Sequence, residues 1–409
     1  MKFIHAADIH LDSPFKGLRQ APDKVWQLIH QSTYQAFSNL VTTAIQENVD
    51  FVLLVGDLFD QVKHSIQADI FVNEQFERLN ERQIPVYLSY GNHDYLNKNT
   101  EIMHFPKNVH VFATKPEVKD LTLTDGTSVS IVGFSYGQQA VKEDVVDQFP
   151  MRNQSDFEIG TVHGSLDSLN APEANYAPFS KNELVNLHYD YWALGHIHKR
   201  QVLNEQPPII YPGNLQGRHK NEAGPKGFYL VSNQGSQLSA EFVEASVTDW
   251  QSLVVEAEMG DTFDQLIKKI TSALELSQTN KPQFINVNLK NVQNLDTAVL
   301  LRIKDNSLLE VIQQQLLKNG HSWIYEINLL SEQPLGHLTA LDSTFWQKSQ
   351  QKVFSTENID KVAGKLLNYG FIAGALRQDI QEGQLQAQAE ISLLENGGRE
   401  EQNNENTNN

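Results

Sequence analysis

Asp8-Ile9-His10, Gly56-Asp57-Leu58-Phe59-Asp60, Gly91-Asn92-His93-Asp94, a lone His163 and Gly195-His196-Ile197-His198 follow one another along this chain of 409 residues. Their side chains offer carboxylate, amide and imidazole donors. The chain has no cysteine, so disulfides and thiolate-ligated metals are excluded. Mixed oxygen and nitrogen donors of this kind suit Mn²⁺, Fe²⁺ or Zn²⁺. The set is large enough for two divalent ions sharing one carboxylate. Two such ions ~3.5–4 Å apart can clamp the attacking and leaving oxygens of an in-line displacement at phosphorus. The chemistry this spacing points to is hydrolysis of a phosphoester.

Asp57 is the best candidate for the shared carboxylate, because Gly56 lets the backbone come close and the run before it is the most apolar. One partition gives the first ion Asp8, His10, Asp57 and His198, and the second Asp57, Asn92, His163 and His196. Residues i and i+2 of an extended segment point the same way, so Asp8 with His10, and His196 with His198, could converge. His93 is then left over beside Asn92. It could protonate a leaving oxygen or hold a non-bridging one. Asp60, three residues past the bridge, could orient that imidazole and raise its pKa.

Each motif alone has a plainer explanation. A His-x-His pair is often two unrelated histidines, Asn-His-Asp suits a turn, and Asp-x-His could be an ordinary strand end. Order and context argue against coincidence. The preceding runs are Phe3-Ile4-His5-Ala6-Ala7, Phe51-Val52-Leu53-Leu54-Val55, Val86-Tyr87-Leu88-Ser89-Tyr90, Ile159-Gly160-Thr161-Val162 and Tyr189-Asp190-Tyr191-Trp192-Ala193-Leu194. These read as strands, and open α/β sheets build sites at the carboxyl ends of strands. The remaining histidines, His5 and His64 among them, lack metal-like spacing, with His64 the one placed nearest a substrate mouth.

The motif series resembles the calcineurin-like metallophosphoesterases, whose pattern is DxH, GDxxD, GNHD, H and GHxH, and no element departs from it. The opening from Phe3 to Leu18 resembles the SbcD-type DNA repair exonucleases, and within them the YhaO-like branch. Some members of that nuclease family carry His where this chain has Asp60. The resemblance covers the chain to roughly residue 240. It implies an α/β fold: a four-layer metallophosphoesterase sandwich, two central β-sheets flanked by helices, with a small α+β capping domain and a C-terminal helical segment. It implies two divalent ions, Mn²⁺ foremost with Fe²⁺ or Zn²⁺ as alternatives, held by Asp8, His10, Asp57, Asn92, His163, His196 and His198. His93 and Asp60 are the catalytic candidates. The implied partners are DNA, an SbcC-like coiled-coil ATPase and a second copy of the chain.

The elements behind the motifs fall into segments. Residues 1–245 form the metallophosphoesterase (nuclease) domain, with helical stretches from Lys24 to Glu47 and from Ile66 to Gln83. Ser180-Lys181-Asn182-Glu183 has capping-box spacing. Residues 246–330 alternate strand and helix: Leu253 to Val255, Thr262 to Leu274, Phe284 to Leu289, Leu308 to Leu317 and Trp323 to Ile327. They carry no chemistry of their own, so they either stabilise the body or cap the site. Residues 331–395 read as a linker followed by helical stretches from Ser343 to Tyr369 and Ile372 to Glu395. Their sparse apolar residues either pack on the body or bind a partner. The polar residues 396–409 read as a disordered tail.

Composition sets limits on function. No run of about 18 apolar residues suggests a membrane span, and the N-terminus lacks a signal-peptide pattern; cytoplasm is the expected address. The formal net charge of −18 disfavours a free-standing binder of polyanions. Metal ions would reverse the sign locally, and basic residues occur in expected rim loops: Lys16, Arg19, Lys98, Lys107, Lys199, Arg200, Arg218 and Lys220. Three classes remain. A metal-dependent DNA nuclease leads, a phosphodiesterase or phosphatase acting on nucleotides or other small phosphoesters is the alternative, and a catalytically silent scaffold is disfavoured because every ligand type is kept.

Overall fold

The computed structural model describes residues 1–15, 18, 21–96, 104–167, 176–277, 279–317, 322–330, 352–353 and 355–364. The chain divides into two compact units, Met1–Leu330 and Ser331–Asn409.

The first unit is built on two six-stranded sheets. In the first sheet β1 (Lys2–Ala6), β2 (Phe51–Val55), β3 (Val86–Ser89) and β4 (Val109–Val111) run parallel. The second sheet contains β5 (Glu117–Thr122), β6 (Ser128–Gly133), β7 (Phe157–His163), β8 (Tyr191–Gly195), β9 (Gln201–Glu205) and β10 (Pro208–Tyr211), in the order β5-β6-β7-β8-β10-β9. Its central strands β6, β7, β8 and β10 are parallel and its two edges antiparallel. The first sheet is completed by the hairpin β11 (Gly227–Gln234) and β12 (Gln237–Glu244), which pairs antiparallel against β1.

Alternation along the strands explains the layers. Phe51, Leu53 and Val55 of β2 face the second sheet, meeting Ile131, Ile159, Tyr191 and Ala193. Val52 and Leu54 face outward, onto α1 (Asp23–Gln46) and α2 (Ile66–Asn80). The buried face of α1 repeats at helical spacing through Ile29, Thr33, Phe37, Leu40 and Ala44. On the far side of the second sheet, Trp192 and Leu194 pack with Leu184 of the short helix α3 (Lys181–Asn186). That helix starts at the expected capping box: Ser180 Oγ accepts from Glu183 N at 3.2 Å, and Ser180 N donates to Glu183 Oε2 at 2.6 Å. The result is helix, sheet, sheet, helix, a mixed α/β sandwich.

A third sheet follows, with β13 (Asp249–Glu256), β14 (Gln283–Lys290) and β15 (Ser322–Leu330). All three strands are parallel, each joined to the next through helix: α4 (Phe263–Leu276), then α5 (Thr297–Lys304) and α6 (Ser307–Leu316). Parallel neighbours need such crossovers. This unit therefore has the connectivity of alternating β and α rather than of segregated α+β, a distinction that periodicity cannot make. Leu266, Ile270 and Leu274 of α4 bury against Ile285, Val287 and Leu289, giving the unit its own core. A separate aromatic cluster of Phe15, Leu18, Ile29, Trp250, Phe284 and Trp323 seats it on α1 and the segment after β1.

In the second unit the description covers helix α7 (Thr356–Ala363), inside the stretch expected from Ser343 to Tyr369. The stretch from Ile372 to Glu395 and the tail 396–409 lie outside the described residues. Among the described residues, no helix is long and apolar enough to cross a membrane.

Candidate metal centre

The carboxyl ends of β1, β2, β3, β7 and β8 meet at one place. There the segments after β1 and β2 run side by side, joined by Asp8 N to Gly56 O at 3.2 Å, His10 N to Asp57 O at 2.9 Å and Leu11 N to Leu58 O at 2.9 Å. Asp8, His10 and Asp57 sit at φ of 52°, 49° and 52°. Left-handed backbone at non-glycine residues is strained and concentrates at functional sites. Asp8 and His10 therefore converge through turned backbone, not through the extended alternation that their spacing suggested.

Two donor sets form. In the first, His10 Nε2 lies 3.0 Å from His198 Nε2, 3.7 Å from Asp57 Oδ2 and 4.0 Å from Asp8 Oδ1, and His198 Nε2 is 3.8 Å from that same Asp8 oxygen. In the second, His163 Nε2 lies 3.4 Å from Asp57 Oδ2 and 3.0 Å from Asn92 Oδ1, and His196 Nδ1 is 3.1 Å from Asn92 Oδ1. One oxygen, Asp57 Oδ2, faces both sets. His196 and His198 go to different sets despite their i, i+2 spacing. The structure thus brings together the residues the sequence partition named, while His10 also groups with Asp60 and His93, and Asp8 with Asp57 and His163.

Glycines make the approach possible. A Cβ on Gly56, whose φ is +79°, would stand 2.0 Å from His163 Nδ1, and one on Gly91 would stand 2.2 Å from Asp57 Oδ1. The other ring nitrogens are held from behind. His163 Nδ1 donates to Val55 O at 3.0 Å and His198 Nδ1 pairs with Glu222 Oε1 at 2.6 Å. That leaves Nε2 of each ring as a lone pair aimed into the cluster, the usual arrangement for a ligating histidine.

The electrostatics fit divalent cations. Asp8, His10, Asp57 and His163 are at most 1% exposed, and buried carboxylates need compensation. Burial pushes the His10 and His196 imidazoles down to about 3, which keeps them neutral, with a ring lone pair free. Burial also opposes charge on His163, but the neighbouring Asp57 outweighs it and raises the ring to about 9. Positive charge is thus demanded beside Asp57, as a proton on His163 or as a metal ion in its place. The His10 and His198 Nε2 atoms, facing each other at 3.0 Å, need a proton or a metal ion between them.

His93 stands at the edge, its ring centroid 4.8 Å from that of His10, with His93 N donating to Asp57 Oδ1 at 3.0 Å. Its Nδ1 bonds residue 60 at 2.8 Å, but through the main-chain carbonyl. The Asp60 carboxylate turns instead to Arg218, to Ser13 Oγ at 3.3 Å and to within 3.5 Å of His10 Nδ1. A guanidinium is the stronger partner for a buried carboxylate, so residue 60 orients His93 by its backbone rather than by its charge. Asp94 is a loop clamp: Oδ1 accepts from Gly91 N at 2.8 Å and Oδ2 from Phe59 N at 3.1 Å. Burial, with Asp57 nearby, raises it to about 7.

Spacing gave no hint of Glu222. It is 5% exposed, holds His198 through Oε1, and accepts from Asn214 Nδ2 at 2.8 Å and Arg218 N at 2.7 Å through Oε2. Against the penalty of burial, hydrogen bonds from His198 and His219 hold its carboxyl well below the usual range. His5 and His64 stay out of the site. His5 bridges Tyr191 Oη and Leu194 O at 3.0 and 3.1 Å between the sheets, and His64 stacks on Phe59 and pairs with Asp69. Of the basic residues expected at the rim, Arg218 joins the site, Lys220 pairs with Glu326 at 3.4 Å, and Arg200 lies over the Phe242 ring instead. Lys16, Arg19 and Lys98 are outside the described residues.

Comparison with known proteins gives matches that agree with this geometry. A family model described as calcineurin-like phosphoesterase matches residues 1–200. The chain is 41% identical over 282 residues to the uncharacterized metallophosphoesterase YhaO of Bacillus subtilis, covering 66% of this chain and 69% of the relative. It is 26% identical over 285 residues to the DNA double-strand break repair protein Mre11 of Methanocaldococcus jannaschii, covering 66% and 73%. With Mre11 of Thermoplasma acidophilum the identity is 24% over 281 residues, covering 66% and 73%.

Proposed function

Because this chain belongs to the calcineurin-like phosphoesterase family and so hydrolyses phosphoester bonds with divalent ions, we propose that it is a DNA nuclease acting with an SbcC-like coiled-coil ATPase. Asp8, His10, Asp57 and His198 hold one ion in this reading, and Asp57, Asn92, His163 and His196 the other. Mn²⁺ is the favoured metal, with Fe²⁺ or Zn²⁺ as alternatives. The observation that carries the reading is the position of Asp57 Oδ2, 3.7 Å from His10 Nε2 and 3.4 Å from His163 Nε2. The ions supply Lewis acidity toward a phosphoryl oxygen.

The chain's own residues supply the rest. Gly56 and Gly91 let the carboxylate and the imidazoles close together, and Val55 O and Glu222 fix which nitrogen of His163 and His198 faces inward. His93 lies against His10 at the open side, with Nδ1 tied to Asp60 O. With Nδ1 so tied, Nε2 is the ring nitrogen that in this reading gives a proton to the leaving oxygen. Arg218 neutralises Asp60 and keeps it from competing as a ligand.

The Mre11 relatives, named for double-strand break repair, support DNA as substrate. Residues 1–245 are the catalytic domain in this reading, 246–330 a cap, and 331–395 the segment that docks on the ATPase. A homodimer and a cytoplasmic address are part of the proposal. The net charge of −18 favours a second reading, hydrolysis of nucleotides or other small phosphoesters at the same centre. The test is an assay of the purified Mn²⁺-loaded protein on end-labelled duplex DNA and on bis(p-nitrophenyl) phosphate. Cleavage of both supports the nuclease, cleavage of the small ester alone supports the second reading, and cleavage of neither overturns both.

A further inference from the structure

Beside the candidate centre lies a cleft of about 510 Å³, within the range that small ligands fill. Asp60 lines it, and Asp60 also lines a smaller hollow of about 230 Å³ that holds Asn92 and His93. Asp60 thus stands between the larger cleft and the hollow beside His93. Its floor is apolar and largely aromatic: Phe15, Leu18, Trp250 and Tyr325. The Trp250 and Tyr325 rings meet at 68° with centroids 5.2 Å apart, and Trp250 Nε1 is pinned to Gly217 O at 2.9 Å, so the floor is rigid. Its rim is polar and mixed in charge, with Arg218 paired to Asp60, Lys220 to Glu326, and His219 beside them. Lys220 reaches across to Glu326 of β15 at 3.4 Å, so the third sheet supplies the opposite wall.

An aromatic floor under a rim that holds both acids and bases suits a heterocycle able to donate as well as accept hydrogen bonds. A lipid tail would not need the polar rim, and a bare phosphate would not need the floor. We propose that this cleft is a nucleobase subsite, seating the base of a nucleotide whose phosphate lies at the Asp57 cluster. The assignment rests on the phosphodiesterase reading above and narrows it, because it makes the enzyme select nucleotidyl substrates. It also gives the third sheet a function: Trp250 and Tyr325 bring the organic part of the substrate to a centre built wholly from the first two sheets.

The test compares two esters with one leaving group, the p-nitrophenyl ester of thymidine 5′-phosphate and methyl p-nitrophenyl phosphate, on full-length Mn²⁺-loaded protein. The thymidine ester should be preferred in kcat/KM by about tenfold or more, the scale that base–aromatic contact supplies. Tyr325→Leu, which removes an aromatic ring of the floor, and Glu326→Trp, which places a ring at the mouth from a partly exposed position, should each erase most of that preference. A wild-type ratio near one, or a ratio that both variants leave unmoved, overturns the proposal. Calorimetric binding of thymidine 5′-monophosphate separates this inference from the hydrolase reading. If neither ester is cleaved, that reading fails, and binding weakened about tenfold by Glu326→Trp would still uphold the cleft assignment. Equal binding by both proteins, or none by the wild type, would overturn it.

Discussion

Asp57 places a single carboxylate oxygen between two donor sets, and the sharpest predictions at the residue scale start there. Asp57→Asn should abolish metal-dependent hydrolysis and lower the metal content below that of the wild type by elemental mass spectrometry, since it removes the charge both sets share. Full activity with unchanged metal would show that Asp57 is no bridge. His93 sits outside the sets, with its main chain on Asp57 Oδ1 and its ring on Asp60 O. His93→Gln should keep the metals and lose roughly 10²–10⁴-fold in turnover, the worth of a general acid or base; loss of metal instead would make His93 a ligand. Glu222 acts through His198, whose Nδ1 it holds at 2.6 Å. Glu222→Gln should weaken retention of one ion by about 10–100-fold in chelator competition, the usual effect of removing a partner that orients a ligand. An unchanged metal affinity would reduce Glu222 to a packing role.

At the scale of elements, the site depends on how closely β2 and β7 come together. Val55 O bonds His163 Nδ1 at 3.0 Å, and the ring lies where a side chain on Gly56 would begin. Gly56→Ala places a methyl group 2.0 Å from that nitrogen at a φ of +79°. It should lower stability by about 1–3 kcal/mol, the range for overpacking a filled interior, and should displace His163 enough to end hydrolysis. Urea unfolding with an activity assay checks both effects; wild-type values in both would mean that the β2 to β7 approach has slack. The same close packing explains why Asp8 and His10 accept left-handed backbone, because their N–H groups are committed to Gly56 O and Asp57 O.

For the whole molecule, every residue proposed as a metal ligand lies at or before His198, while the second unit begins at Ser331. A chain ending at Leu330 should therefore keep hydrolysis of a small phosphodiester. It should lose co-purification with an SbcC-like ATPase and any ATP-stimulated cleavage of long DNA, if residues 331–395 are the docking segment. Loss of the small-ester activity would instead place those residues in the catalytic body. The net charge of −18 makes such a division of labour reasonable, since a chain this acidic gains little from a polyanion by counterion release and is helped by a partner that supplies basic surface.

The order of motifs, the strand before each and the donor chemistry were all legible in the sequence because they are local. A run such as Phe51-Val52-Leu53-Leu54-Val55 declares a doubly buried strand, and Ser180 with Glu183 declares a helix start. What lay beyond reach were pairings between segments far apart in the chain. The ion pair of Arg218 with Asp60 spans 158 residues, and Glu222 meets His198 across 24 with no motif of its own. Likewise, alternating strands and helices from Asp249 to Leu330 were readable, but their parallel pairing was not. Sequence alone fixes which groups each strand end carries, since period and propensity act within a few residues. Only the tertiary structure decides which strand ends are neighbours, because sheet order is set by burial of whole faces; that is why Asp60 turned to Arg218 and left His93 to a backbone carbonyl.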